Sequence, residues 1–449
     1  MIRLALPVYV ELVTAVVAVG LIDLLWVSGL GEAAIAAVTV ATTAEYLAYG
    51  LFLAVPTGLT VLVGRRDGRE PLGPVVRAGW TLWAVLSVAI TVPAVLLREP
   101  LAALFSAEWR LTAEFFLISL GGLPVYFAQT VADGVLKGRG DTRRPMRHAL
   151  VCNALVVALD PLFIHGLGLG VQGAALATVA ARAVTLAITL VALSRALPRA
   201  PSQALPRVPS QALPRVPSPV PSRTAGASPK AGPGGAGLAR EVVRTGLPMS
   251  GDFLARSAVG LALVDLVAGF GTAELAGYGI GQKIMLAGVM VFYALRQAAL
   301  IRTARGEATG SPLWLGLGAG AAVAAVLNAV AVPVTALFAA DPAPAVGFLR
   351  WMALYLVPFG GLIAVGGVLQ ASGRGGRLLA ATLAGFAVQL PLAYALSGWL
   401  GVTGVWLSMA AGACVSLAGA LVPRGSGPGS ALGRAPRSTR TAAGPPSGR

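Results

Sequence analysis

The chain has 449 residues, 56 % of them hydrophobic and 12 % charged, with a mean hydropathy of +0.78. A soluble globular domain is about a quarter charged, so this chain cannot bury its apolar surface within itself and a soluble fold is excluded. Its net charge of +16 would raise nucleic acid in a soluble protein, but here Lys and Arg sit in short clusters between apolar stretches of about 20 residues, the length that crosses about 30 Å of hydrocarbon as a helix.

The apolar stretches predict an all-α integral membrane protein of about 12 transmembrane helices. They fall near 7–29, 34–63, 74–97, 112–135, 147–166 and 171–194, then 246–269, 274–300, 313–338, 346–371, 378–398 and 402–422. Met1 to Leu30 has no charged lead-in beyond Arg3 and runs straight into a second span, so it reads as the first anchor rather than a cleavable signal. Alternate loops carry Arg65, Arg66 and Arg69; Lys137, Arg139, Arg143, Arg144 and Arg147; Arg302 and Arg305; and Arg374 and Arg377. The opposite loops are nearly bare, Arg98 and Arg110 excepted. By the positive-inside rule both termini are expected in the cytoplasm of a multi-pass protein of the cell (inner) membrane.

Between spans six and seven, Leu-Pro-Arg-Ala-Pro-Ser-Gln-Ala starting at Leu197 recurs at Leu205 and begins again at Leu213. Repeated proline blocks helix and the segment has nothing apolar to pack, so residues 195–243 are expected to form an extended, disordered cytoplasmic linker. The tail, 424–449, reads the same way. What remains is an N-terminal lobe, 1–194, and a C-terminal lobe, 244–423, and the two resemble each other. Leu6-Pro7 parallels Leu247-Pro248, Leu30-Gly31 parallels Phe270-Gly271, Gly134-Val135-Leu136-Lys137 parallels Gly367-Val368-Leu369-Gln370, and Gly170-Val171 parallels Gly401-Val402. An even number of spans separates the copies, which predicts two parallel six-helix lobes about an axis along the membrane normal, with a cleft between them.

A charge at the bilayer centre costs about 2.5 to 3.5 kcal/mol on insertion scales, so each one asks for a reason. Asp23 in span one and Asp160 in span five are read as a protonatable or cation-binding pair facing an aqueous cavity; the bland alternative is hydrogen bonding between helices. Asn153 lies seven residues before Asp160, on the same helix face. Gln129 and Asp133 are one turn apart in span four, where Asp133 is near enough to the end to be solvated or paired with Lys137. Pro161 removes a helical hydrogen bond beside the acid and invites a bend, a candidate gate. Glu11, Glu45, Arg182, Asp252, Arg256, Asp265, Lys283 and Arg350 are weaker candidates, with Asp252 and Arg256 placed to form an ion pair. The second copy has Leu390-Pro391 where the first has Asp160-Pro161, so coupling is expected in the first half.

Other motifs carry little. Cys152 and Cys414 have no companions at metal-ligand spacing, so no metal is expected. Gly168-Leu169-Gly170-Val171-Gln172-Gly173 satisfies a dinucleotide fingerprint formally but sits in a short turn between spans. No phosphate-cradling loop occurs. His148 and His165 flank span five and read as interfacial. No nucleophile, base or metal ligands converge at midplane, so no enzyme is expected.

The run Gly134 to Arg143, followed by Leu159-Asp160-Pro161-Leu162-Phe163 and Gly168 to Thr178, resembles the multidrug and toxic compound extrusion (MATE) family, its DinF-like branch most of all. Leu21-Ile22-Asp23 through Leu30-Gly31 resembles that family's first span and Phe270-Gly271-Thr272-Ala273 its eighth. The resemblance implies a twelve-span, two-lobed antiporter that exports organic, often cationic, drug-like compounds in exchange for protons or sodium and uses no other cofactor, and a monomer is expected. It also implies that Asp23 and Asp160 form the coupling site. Val156 stands where the family often has Asn, and Asp133 where it often has Asn near the end of span four. The alternative is a flippase for a lipid-linked saccharide precursor, of the same superfamily; it would favour a strongly basic cavity.

Overall fold

The computed structural model describes residues 1–18, 26–105, 109–196, 235–337 and 341–422, which form helices and turns with no strand among them. Most of the expected linker and all of the expected tail lie outside the described residues. In the N-terminal lobe α1 (Ile2–Leu12) continues as a π-helix (Val13–Ala18), and is followed by α2 (Glu32–Phe52), α3 (Ala54–Arg66), α4 (Gly73–Leu96), α5 (Arg98–Phe105), α6 (Trp109–Gly121), α7 (Leu123–Gly138), α8 (Arg143–Pro161) and α9 (Gly170–Ala196). The C-terminal lobe has α10 (Gly235–Ala268), α11 (Thr272–Arg305), α12 (Pro312–Thr335), α13 (Ala343–Ala371), α14 (Gly375–Leu400) and α15 (Val402–Leu421).

Nine described helical stretches are long and apolar enough to cross a membrane, and α2 with α3, bent by 42° at their junction, make a tenth. Two crossings are less conspicuous for local reasons. Span one runs into residues outside those described, and α10 interrupts its apolar run with Asp252, Arg256 and Asp265. Together they complete the twelve-span, two-lobed architecture.

Each lobe has its own apolar core. Phe52 stacks on Phe127 at 4.2 Å in the first, and Phe292, Phe348, Met352 and Leu356 are fully buried in the second. Small residues let helices touch where no hydrophobic force separates them from lipid. A Cβ on Gly316 of α12 would lie 2.4 Å from the Gly360 carbonyl oxygen of α13, which shows how closely those backbones approach. Outward faces are the reverse of a soluble protein's: Val85, Val88, Val92 and Leu96 form one exposed stripe along α4.

The lobes meet reciprocally. Span two (α3) lies against span seven (α10), and span one (α1) against span eight (α11), the pairing that a two-fold exchange of the lobes demands. The first contact is backbone to backbone: a Cβ on Gly246 would fall 1.8 Å from the Ala54 carbonyl oxygen, and one on Gly58 would fall 2.1 Å from that of Val242. Helix α10 therefore begins inside the stretch expected as linker. Leu238 and Val242 are buried there, so packing against α3 holds as helix a segment that composition alone assigns to the linker.

Polar contacts between lobes gather on the side of the basic loops. Arg305 Nη1 donates to Asp67 at 2.8 Å and to the Arg139 carbonyl at 2.7 Å, Arg66 pairs with Glu241 at 3.1 Å, and Arg65 donates to the Ala371 carbonyl at 2.6 Å. Toward the opposite side the described residues make no hydrogen bond or ion pair from lobe to lobe. The cleft is closed at the basic face, and toward the other side Lys283 and Leu286 of α11 are exposed.

Candidate functional site

Span five organises the N-terminal lobe's interior. Asp160 is fully buried, and immediately after Pro161 the helix changes register: Leu162–Gly166 is a π-helix, with the Leu167 N–H reaching back to the Leu162 carbonyl at 2.8 Å. Pro161 lacks the N–H that would bond the Val157 carbonyl, and the π-helical turn begins directly after it. Asn153, also buried, is about 10 Å down the same helix, and its Nδ2 donates to the Thr14 carbonyl at 2.8 Å. Thr14 lies in the π-helical part of span one. Both spans that carry a candidate acid thus contain a π-helical stretch, and Asn153 ties them together. Asp23 itself lies outside the described residues.

Toward the basic face a second polar group fills the lobe. Gln129 Nε2 donates to both oxygens of Asp133, at 3.1 and 3.0 Å, and to Thr189 Oγ1 at 2.9 Å. Thr189 Oγ1 is 3.0 Å from His148 Nδ1, which is 3.7 Å from Asp133. Sequence reasoning placed His148 at the interface; it is buried instead, because α9 brings Thr189 across to it. It also offered Lys137 as a partner for Asp133. Lys137 donates to Glu11 of span one at 2.6 Å, both side chains being nearly enclosed. Gln129, Asp133 and Asn153 therefore converge on spans one, five and six, while Asp160 sits about 18 Å from His148 along span five.

The C-terminal lobe has a counterpart with different charges. Asp252 of α10 accepts from Arg256 at 3.1 and 3.2 Å and from Thr382 at 2.8 Å, and Arg296 of α11 is 3.5 Å away. The Asp252–Arg256 pair forms as its spacing predicts. Arg296 donates to Gln370 at 3.2 Å, and its buried Nε finds no hydrogen-bond acceptor among the described residues. Arg256 lies 5.1 Å over the Phe359 ring. Elsewhere Arg182 pairs with Glu45 at 3.1 Å and covers Tyr126. Among the described residues no cluster of His, Cys, Asp or Glu could hold a metal ion.

Sequence reasoning ranked Glu11 low and missed Arg296. The signal for Glu11 was present: Glu11 and Asp252 each stand four residues after the proline of the matched Leu-Pro pairs, and Lys137 and Gln370 occupy the same place in the other matched run. In the first lobe Glu11 meets Lys137 directly, whereas in the second Arg296 joins the equivalents, lying 3.5 Å from Asp252 and donating to Gln370.

Residues 7–162 and 248–395 match the MatE family. A FAD transporter of Shewanella oneidensis is 28 % identical over 215 residues, 44 % of this chain and 47 % of that protein. DETOXIFICATION 44, a chloroplastic protein of Arabidopsis thaliana, is 29 % identical over 177 residues, 35 % of this chain and 34 % of that one. The chain thus spans less than half the length of these curated relatives. The fold is that of a solved MOP superfamily transporter from Pyrococcus furiosus, with a TM-score of 0.76 at 22 % identity, covering 93 % of this chain and 92 % of that one.

Proposed function

Since the chain belongs to the MatE family of membrane transporters, we propose that it is a secondary active antiporter that exports organic amphipathic compounds, cations among them, in exchange for protons or sodium. The observation that carries this reading is the fully buried Asp160 on a helix that turns π-helical directly beyond it. An ionisable group inside the membrane is expensive and is by default a functional group. Its neutralisation changes what the adjoining irregular turn must satisfy, and an irregular turn is easier to rearrange than a regular helix.

In this scheme the cleft, closed at the basic face, receives the coupling ion from the open side. Asp160, and Asp23 with it, takes the ion; the Asn153 link passes the change to span one; substrate leaves. Asn153, Gln129, Thr189, His148 and Asp133 then provide polar groups along the route toward the basic face, where the ion departs once the Arg305–Asp67 and Arg66–Glu241 pairs open. Coupling requires only that ion and substrate favour different states of the cleft. By the positive-inside rule the basic face is cytoplasmic, and the cycle exports.

The test is efflux of a fluorescent organic cation from proteoliposomes under an imposed proton or sodium gradient. Gradient-dependent efflux that is lost in Asp160→Asn supports the reading, and efflux unaffected by the substitution sinks it. A second reading, export of a flavin dinucleotide, is supported by the name of the Shewanella relative; accumulation of FAD outside cells expressing the chain would favour it.

A further inference from the structure

We propose that the C-terminal wall of the cleft recognises an acidic group on the transported compound, a carboxylate or phosphate, and that Lys283 is the residue that contacts it. This rests on the transporter reading above and specifies its substrate class: amphipathic acids and zwitterions in addition to simple cations.

Lys283 lies 11 residues into α11, about 17 Å from that helix's start, too deep for its side chain to reach the nearer surface easily. It is exposed, and no ion pair or hydrogen bond engages it among the described residues. The face it occupies is fixed by its neighbours. Ile301 is 18 residues further along, about five full turns, and is buried in the contact with Val61 of the N-terminal lobe. Met290 and Ala294, near the same line, are buried too, Ala294 against Ala5 and Val8 of α1. Above them Leu286, Lys283, Gly279 and Ala276 are exposed. One stripe of α11 is therefore covered by the N-terminal lobe at the basic face and uncovered beyond it, so Lys283 projects into the open part of the cleft and not into lipid.

The surroundings reinforce the sign of its charge. The matched loops at Leu30-Gly31 and Phe270-Gly271 put Thr43 at the equivalent place in the first lobe, so the lysine belongs to one wall alone. Behind that wall two guanidinium groups, Arg256 and Arg296, face a single carboxylate, Asp252. An ammonium in a partly dehydrated cleft with no counter-charge among the described residues favours an anionic ligand, and a carboxylate or phosphate bonded to it gains a charge-assisted hydrogen bond.

Three xanthene dyes of similar size separate the possibilities in proteoliposomes: cationic rhodamine 6G, zwitterionic rhodamine B and anionic fluorescein. The native chain should move rhodamine B and fluorescein at rates comparable to rhodamine 6G. Lys283→Gln should lower the ratio of fluorescein to rhodamine 6G efflux about tenfold, the low end for a hydrogen bond to a charged group. Lys283→Glu should lower it further, and Lys283→Arg should restore it. Native protein that moves rhodamine 6G but neither acid-bearing dye, or a ratio indifferent to all three substitutions, overturns the inference. Failure to move any dye under any gradient overturns the transporter reading instead.

Discussion

The two lobes share a fold and differ in charge. In the first, Lys137 pairs with Glu11, Gln129 holds Asp133 with His148 alongside, and Asp160 is buried further on. In the second, two guanidinium groups share one carboxylate, and leucine stands where the first lobe has Asp160. A two-fold repeat supplies matched walls and a hinge. The different charges of the two walls come from substitutions that leave the backbone alone.

The strongest way to break this comparison is to move the acids. Asp160→Asn should reduce gradient-driven efflux to that of protein-free liposomes, whereas Leu390→Asp, placing an acid at the equivalent position of the second lobe in that variant, should not restore it. Recovery would mean that either lobe can couple.

Stability gives the next contrast. Glu11→Gln strands a buried ammonium and should cost about 3 to 5 kcal/mol, as for other broken buried pairs, while Glu11→Leu combined with Lys137→Met should recover most of that loss. Thermal unfolding in detergent reads both. In the second lobe Arg296→Met leaves Asp252 with Arg256 and Thr382, so it should cost less than Glu11→Gln.

The lobe interface responds to sterics and then to salt. Gly246→Ala forces a Cβ onto the Ala54 carbonyl and should open the basic face, raising the reactivity of a cysteine introduced at Ser250 toward a thiol reagent. Asp67→Asn removes a half-exposed pair with Arg305, and should weaken closure by only about 0.2 to 1 kcal/mol, an effect that vanishes in high salt. The same cysteine probe, read in low and high salt, distinguishes the two.

Much of this architecture is legible in the sequence because lipid imposes simple rules: crossings show as apolar length, and the repeat as matched Leu-Pro and Gly-Val pairs. The start of α10 is not legible, since Leu238 and Val242 are helical only by virtue of the Gly58 surface that receives them. Within the site, the Gln129–Asp133 bond follows from helical spacing. The partners of Lys137, His148 and Arg296 depend on how helices far apart in the chain are arranged side by side, which periodicity along one helix does not report. Glu11 is the instructive case. Taken alone it is an acid near a span end; taken with Asp252 it marks the same buried corner of both lobes.

The most direct test of the account is efflux of rhodamine 6G from proteoliposomes under an imposed proton gradient and, separately, a sodium gradient, comparing the native chain with Asp160→Asn and with Arg296→Met. Efflux driven by one of the gradients, abolished by Asp160→Asn and retained by Arg296→Met, is the predicted result. Efflux that survives Asp160→Asn would contradict the assignment of coupling to the first lobe.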